Sequence, residues 1–332
     1  MKTHTLSIKF AQLSPGLMVV AITGLAALFL SEHYGAPVML LALLLGIALS
    51  FLHEETKCKL GIEFVSSTIL RFGVALVGFR IAVTDLIALG WQTGLLLVVA
   101  VTTTIFLGVI VSKALGMSKY FGVLTGGAVA ICGASAALAI SSMLPNDKNK
   151  ERDTLLTIIG VTLLSTFAMI IYPIIAKFLN LDTIQTSIFL GGTIHDVAQV
   201  VGAGYSISTE TGDLATLTKL VRVSFLIPVV FIFMYTTQAG AHSKKPTTKS
   251  VFPFFLIAFV ALMLINSFIA IPMPILIGVS EASRFALVAA IAAIGMKSNL
   301  RQLLDVGLMP IAIMVMETLW IAGLFLIVLL MT

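Results

Sequence analysis

The sequence predicts an all-α polytopic membrane protein of about eleven transmembrane or re-entrant segments, and three observations lead there. Of the 332 residues, 59% are hydrophobic and only 11% are charged, against about 25% charged in a soluble domain. Apolar runs recur along the whole length, each able to cross or nearly cross a hydrocarbon core of about 30 Å. The polar groups inside these runs concentrate in two stretches, Gly126–Ala136 (GGAVAICGASA) and Gly191–Val200 (GGTIHDVAQV). Backbone and ionisable groups at membrane depth line a path or a binding site, because neither can face lipid.

The segments fall near 17–31, 37–52, 64–82, 91–112, 120–144, 154–177, 184–205, 215–236, 251–270, 281–297 and 306–331. Together they leave no stretch large enough for a soluble domain. The first run follows Lys2 and Lys9 in the manner of a signal peptide. Ten further segments follow it, so it reads as a retained helix. Segment ten has about twelve uninterrupted apolar residues, Phe285–Met296, which is short for a span and makes it a candidate broken helix. Pro228 and Pro310 read as kinks. Segment three ends in Gly78–Gly90 and segment ten in Gly295–Gly307, with identical glycine spacing and a basic residue two positions after the first glycine. Seven segments separate the two copies, so they run in opposite directions, as in the inverted repeats of secondary transporters.

The net charge of +5 reads as orientation against anionic headgroups rather than nucleic-acid binding. With the N-terminus inside and every segment crossing, twelve basic residues lie inside (Lys2, Lys9, Lys57, Lys59, Lys113, Lys119, Lys177, Lys244, Lys245, Lys249, Lys297 and Arg301). Four lie outside: Arg80, Lys148, Lys150 and Arg152. This balance places the N-terminus in the cytoplasm. If segments five and seven were re-entrant, the count would become fourteen against two, so the pattern leans toward irregular geometry there. Cys58 and Cys132 give neither a disulfide framework nor a metal-ligand cluster, and no cofactor is implied.

Segment five carries Gly122, Gly126, Gly127 and Gly133 with Thr125, Cys132 and Ser135. Gly122 and Gly126, four apart, suit close helix packing. Gly133 suits a break near Ile131–Gly133, after which the Ala134 and Ser135 amides begin a half-helix whose N-terminus favours an anion. In segment seven, a continuous helix would gather His195, Asp196 and Gln199 within an arc of about 100°. An imidazole beside a carboxylate suits proton transfer. Arg71, Lys219, Arg222, Arg284 and Glu317 are the other embedded charges. Arg71 and Arg284 can snorkel, and Arg222 or Glu317 could pair with Asp196 or with an arginine.

Taken together, ICGASA at 131–136, IHDVAQVVGAG at 194–204, KLVRV at 219–223 and GMKSNL at 295–300 resemble the YeiH-type family of bacterial inner-membrane proteins, often labelled sulfate exporters. The resemblance covers the chain from about Leu17 to the end. Gly127–Ala130 replaces the more polar approach usual in that family. The resemblance implies the architecture of bile-acid symporters and cation–proton antiporters: an extra N-terminal helix at 17–31, a first repeat at 37–177 and a second at 184–331. In this five-plus-five inverted repeat, two broken helices, segments five and ten, cross near the midplane. The glycine echo, which pairs three with ten, does not follow that scheme.

The resulting expectation is a multi-pass inner-membrane secondary transporter for a small anion such as sulfate or sulfite, working by alternating access. Cys132, Gly133, Ala134, Ser135, His195, Gln199 and Arg222 are its expected substrate-binding residues, and Asp196 with His195 its coupling residues. The expected partners are a small-molecule or ion substrate and the lipid bilayer, with a homodimer by analogy to related folds. A cation–proton antiporter using Asp196 is the alternative. An intramembrane serine hydrolase using Ser135 and His195 and a channel are further ones.

Overall fold

The computed structural model describes residues 2–54, 57–145, 149–236, 254–269, 271–298 and 307–331. Lys148, Lys244, Lys245, Lys249 and Arg301 of the charge pattern lie outside the described residues. So do residues 299–306, which hold the end of GMKSNL and most of the second glycine copy.

The principal helices in chain order are α1 (Lys2–Tyr34), α2 (Val38–Ala48), α3 (Lys59–Val77), α4 (Gly90–Ala114), α5 (Lys119–Ala130), α6 (Ala134–Met143) and α7 (Lys150–Phe178). They continue with α8 (Thr183–Thr193), α9 (Val197–Tyr205), α10 (Thr209–Ser224), α11 (Leu226–Thr236), α12 (Phe254–Phe268), α13 (Met273–Lys297) and α14 (Leu308–Met331). No strand occurs among the described residues. Seven of the described stretches are long and apolar enough to cross a membrane, as an all-α polytopic protein requires. Local sequence explains several starts. The Ser118 hydroxyl accepts from the Phe121 N–H at the head of α5. Asp182 and Gln185 form a reciprocal capping box at the head of α8, which satisfies two otherwise orphaned donors.

The chain forms two compact units. The first comprises Met1–Asp85, Val201–Asp213 and Phe255–Asn299. Its helices meet at glycines. A Cβ on Gly16 would stand 2.6 Å from the Gly61 Cα, and one on Gly46 would stand 2.2 Å from the Ala292 carbonyl and 2.9 Å from the Gly295 Cα. The buried Ser283 hydroxyl donates to the Gly73 carbonyl at 2.9 Å. Arg80 and Asp213 form an ion pair at 2.9 Å, and the Tyr205 hydroxyl donates to the other Asp213 oxygen.

The second unit comprises Leu86–Val200, Leu214–Phe254 and Leu300–Thr332. Here α4 lies directly on α5, because a Cβ on Gly122 would fall 2.2 Å from the Gly108 carbonyl. The small-residue spacing of segment five thus serves close packing, and its C-terminal half serves something else.

Segment ten is not broken. α13 runs uninterrupted for 25 residues from Met273. The apolar tract had been cut at Glu281 and Arg284, but these half-exposed residues pair with each other one helical turn apart at 3.8 Å. Met273–Val279 then supplies the missing length, with Pro272 as N-cap and Pro274 in the first turn, where a missing N–H has no consequence.

Replacing Gly46 by Ala drives a methyl into the α13 backbone, and overpacking of this kind costs about 1–3 kcal/mol. Gly94, whose added Cβ would meet nothing within 4 Å, is the control. Thermal unfolding in detergent is expected to show Gly46→Ala melting lower than the parent and Gly94→Ala melting no lower.

Candidate functional site

Two helix interruptions come together in the second unit. The first separates α5 from α6. Ile131 leaves helical geometry at φ −116°, ψ −80°, and Gly133 takes φ 63°, ψ −128°. That left-hand region is open to glycine and strained for any other residue. The turn is closed by the Gly133 N–H donating to the Ala128 carbonyl at 2.8 Å. The head of α6 then has no side-chain cap, because its N-cap residue is Gly133.

The second interruption separates α8 from α9 and corrects the reading of segment seven as one helix. Ile194 is extended at φ −63°, ψ 135°, so His195 and Asp196 sit in the break and not on a helical face with Gln199. The Asp196 N–H donates to the Ser165 hydroxyl of α7 at 3.1 Å. The Asp196 carboxylate accepts from the Ala198 N–H at 3.3 Å, and its carbonyl accepts from the Val200 N–H. Asp196 is therefore the cap of α9.

The breaks adjoin: a Cβ on Gly133 would lie 3.7 Å from the His195 carbonyl oxygen. What joins them comes from α10. Lys219 Nζ donates to the Ile131 carbonyl at 2.7 Å and to the Ile194 carbonyl at 2.8 Å. Arg222 donates through Nε to the Ala130 carbonyl at 2.5 Å, through Nη1 to the Ile194 carbonyl at 3.1 Å, and through Nη2 to the Val129 carbonyl. Both cations are 0% exposed. Neither forms an ion pair among the described residues. Arg222 thus serves main-chain carbonyls and no carboxylate among the described residues, and Glu317 Oε1 pairs with the Thr125 hydroxyl.

The chemistry of this arrangement follows from helix termini. The last carbonyls of α5 and α8 have no helical partners and carry partial negative charge, worth about half an elementary charge per helix end. Lys219 and Arg222 answer both ends at once. The opposing ends, the heads of α6 and α9, present amides and partial positive charge. Two basic side chains and one carboxylate, Asp196, stand where the breaks meet.

Of the residues expected to bind substrate, the structure gathers Cys132, Gly133, Ala134, His195 and Arg222 around the crossing, with Asp196 beside them. Cys132 and His195 are buried, whereas Ala134 and Asp196 are partly exposed. Gln199 is buried one turn into α9, and its Oε1 has no partner among the described residues. Ser135 is exposed. His195 Nε2 hydrogen-bonds to the Thr318 hydroxyl of α14 at 3.0 Å, and its Nδ1 has no partner among the described residues. The Ser135–His195 contact of a hydrolase dyad is not made.

Lys219 was noted as an embedded charge but not assigned to the site. Its signal was available: Lys219 and Arg222 are three residues apart on one helix and so share one face.

The chain matches the family model described as Conserved hypothetical protein 698 over residues 15–314. It is 50% identical to the UPF0324 membrane protein RB0971 of Rhizobium meliloti, over 97% of this chain and 94% of that protein. It is 49% identical to the UPF0324 membrane protein CT0845 of Chlorobaculum tepidum, over 96% and 90%. It is 48% identical to the UPF0324 membrane protein TauZ of Paracoccus pantotrophus, over 93% and 92%. No solved structure matches it.

A Cβ on Gly133 finds space but not a permitted backbone conformation, so Gly133→Ala should destabilise the protein by about 1–3 kcal/mol. Thermal unfolding should register the loss. An undiminished melting temperature would mean that residue 133 does not adopt a positive φ.

Proposed function

This chain belongs to the UPF0324 family of membrane proteins, and from that premise we propose that it is a secondary transporter moving a small anion by alternating access. The observation that carries this reading is the crossing of two broken helices with two buried cations on its carbonyls. Lys219 and Arg222 meet the carbonyl ends, and the head of α6 has Gly133 as its N-cap and no side-chain cap. Half-helix N-termini of this kind are where transporters hold anionic groups. The amides of Ala134 and its successors, together with Arg222, His195 and Gln199, form the proposed binding set, with Cys132 at its edge.

Asp196 is the partly exposed acid of the crossing. Its carboxylate already accepts from the head of α9, so protonation there changes both the local charge and the cap. His195, one residue away, is the second half of the proposed coupling pair. A small oxyanion such as sulfate or sulfite, moved outward across the bacterial inner membrane from a protein whose N-terminus is cytoplasmic, completes the proposal.

The competing reading is a cation–proton antiporter that uses Asp196 as its carrier carboxylate. It is favoured by the partial exposure of Asp196. It is disfavoured by the two basic side chains, Lys219 and Arg222, that stand against one carboxylate.

Purified protein in proteoliposomes should take up radiolabelled sulfate, sulfite or a small organic anion, and uptake should respond to an imposed pH gradient. Movement of a cation with no movement of these anions would overturn the anion assignment. In Asp196→Asn, which preserves shape and removes the charge, the response to the pH gradient should disappear. A flux with unchanged pH response would take Asp196 out of the coupling role.

A further inference from the structure

A third polar locus lies in the second unit, on α14. Glu317 is the one acidic residue that is buried among the described residues, at 0% exposure. Its Oε1 stands 2.7 Å from the Thr125 hydroxyl of α5. Its Oε2 has no partner among the described residues. Gly108 of α4 makes the room, since a Cβ there would fall 2.4 Å from Oε1. From α4, α5, α7 and α8, which pack against α14, no charged or titratable side chain faces the carboxyl among the described residues. A bare carboxylate with one hydrogen bond and no cation, away from water, is strongly disfavoured.

The contacts around Thr125 fit the neutral acid. Its hydroxyl lies 3.1 Å from the Phe121 carbonyl and 2.7 Å from Glu317 Oε1, yet a hydroxyl has one proton to give. Both contacts are satisfied together when Glu317 is the neutral acid. The carboxyl O–H then donates to Thr125, and Thr125 donates to Phe121. Loss of the proton would force Thr125 to turn its hydroxyl away from Phe121 and toward the carboxylate.

Two further orphaned hydroxyls lie on the same seam. Thr104 and Ser112 lie one turn to either side of Gly108 on the same face of α4. Both are fully buried, and both hydroxyls lack a partner. Three of the six unpartnered buried polar atoms among the described residues therefore fall on this one seam. Four helical residues rise about 6 Å. Orphaned buried polar groups of this kind are where ordered waters bind.

We propose that Glu317 is a second proton-binding carboxyl of the coupling apparatus, loaded and emptied along the Thr104–Glu317–Ser112 seam. The inference rests on the transport reading for its purpose, though not for its chemistry. The proton comes from water and returns to water, with the carboxylate and the carboxylic acid as the two states. The consequence is mechanical. Glu317 bears on α5 through Thr125, and its neighbour Thr318 bears on His195 in the other break. A proton on Glu317 therefore sets how α14 holds both interrupted helices.

Two measurements test this separately. Infrared spectra of the full-length protein in bilayers at neutral pH, taken as wild type minus Glu317→Gln, should show a carboxylic-acid C=O stretch that shifts in D2O. In Thr125→Val the band should move to higher frequency, as its acceptor is lost. Absence of the band would overturn the protonation assignment, and a band unmoved by Thr125→Val would overturn the hydrogen bond from Glu317 to Thr125, whether or not any anion is transported.

In proteoliposomes, a one-unit pH gradient can raise anion accumulation by about tenfold per coupled proton. Glu317→Gln should keep anion counterflow, which also shows that it is folded, and lose this accumulation. Full accumulation in Glu317→Gln would overturn the coupling role. Absence of any anion movement in the wild type would instead sink the transport reading and leave the infrared result to decide the state of Glu317.

Discussion

The second unit depends on two side chains of α10. A broken helix inside a membrane protein leaves carbonyls and amides that lipid cannot satisfy. Here two breaks occur, and the carbonyls on one side of each are met by Lys219 and Arg222. Ile194 is the pivot, since its carbonyl receives both cations. Neither cation would be tolerable in this setting without those carbonyls, because an unpaired buried charge costs several kcal/mol. The breaks and the cations are therefore conditions for each other, and removing either leaves the other without a partner.

That mutual dependence produces an asymmetry with functional meaning. Side chains compensate the carbonyl ends, and Asp196 caps one amide end. The head of α6 is left with glycine as its cap, and glycine contributes nothing but a permitted conformation. The adjacent helix α14 reaches both interrupted helices through consecutive residues, Glu317 to Thr125 and Thr318 to His195. In the proposed reading, binding, charge compensation and proton exchange fall to different elements of the second unit.

The all-α membrane class was legible from composition and run length, and the break at Ile131–Gly133 from Gly133, whose missing Cβ admits φ 63°. The charge pattern leaned toward irregular geometry in segment seven, but the position of the break at Ile194–Asp196 was not legible, because its residues carry no glycine or proline. It is held open from elsewhere, by Lys219 and Arg222 on α10 and by Ser165 on α7. Segment ten misled for the opposite reason. Glu281 and Arg284 look like an interruption in a linear reading, yet one turn of helix sets them side by side. Arg222 was picked out by its depth in an apolar segment, but its partners are main-chain carbonyls, and no side-chain pattern encodes those.

The most direct test of the clamp is solid-state NMR on bilayer samples labelled at lysine 15Nζ and isoleucine 13C′. If Lys219 Nζ sits 2.7 and 2.8 Å from the Ile131 and Ile194 carbonyl oxygens, one buried lysine resonance will dephase strongly against two isoleucine carbonyls and vanish in Lys219→Met. A lysine spectrum with no such resonance would mean that the breaks are not held together in this way, and the account built on the crossing would fail with it.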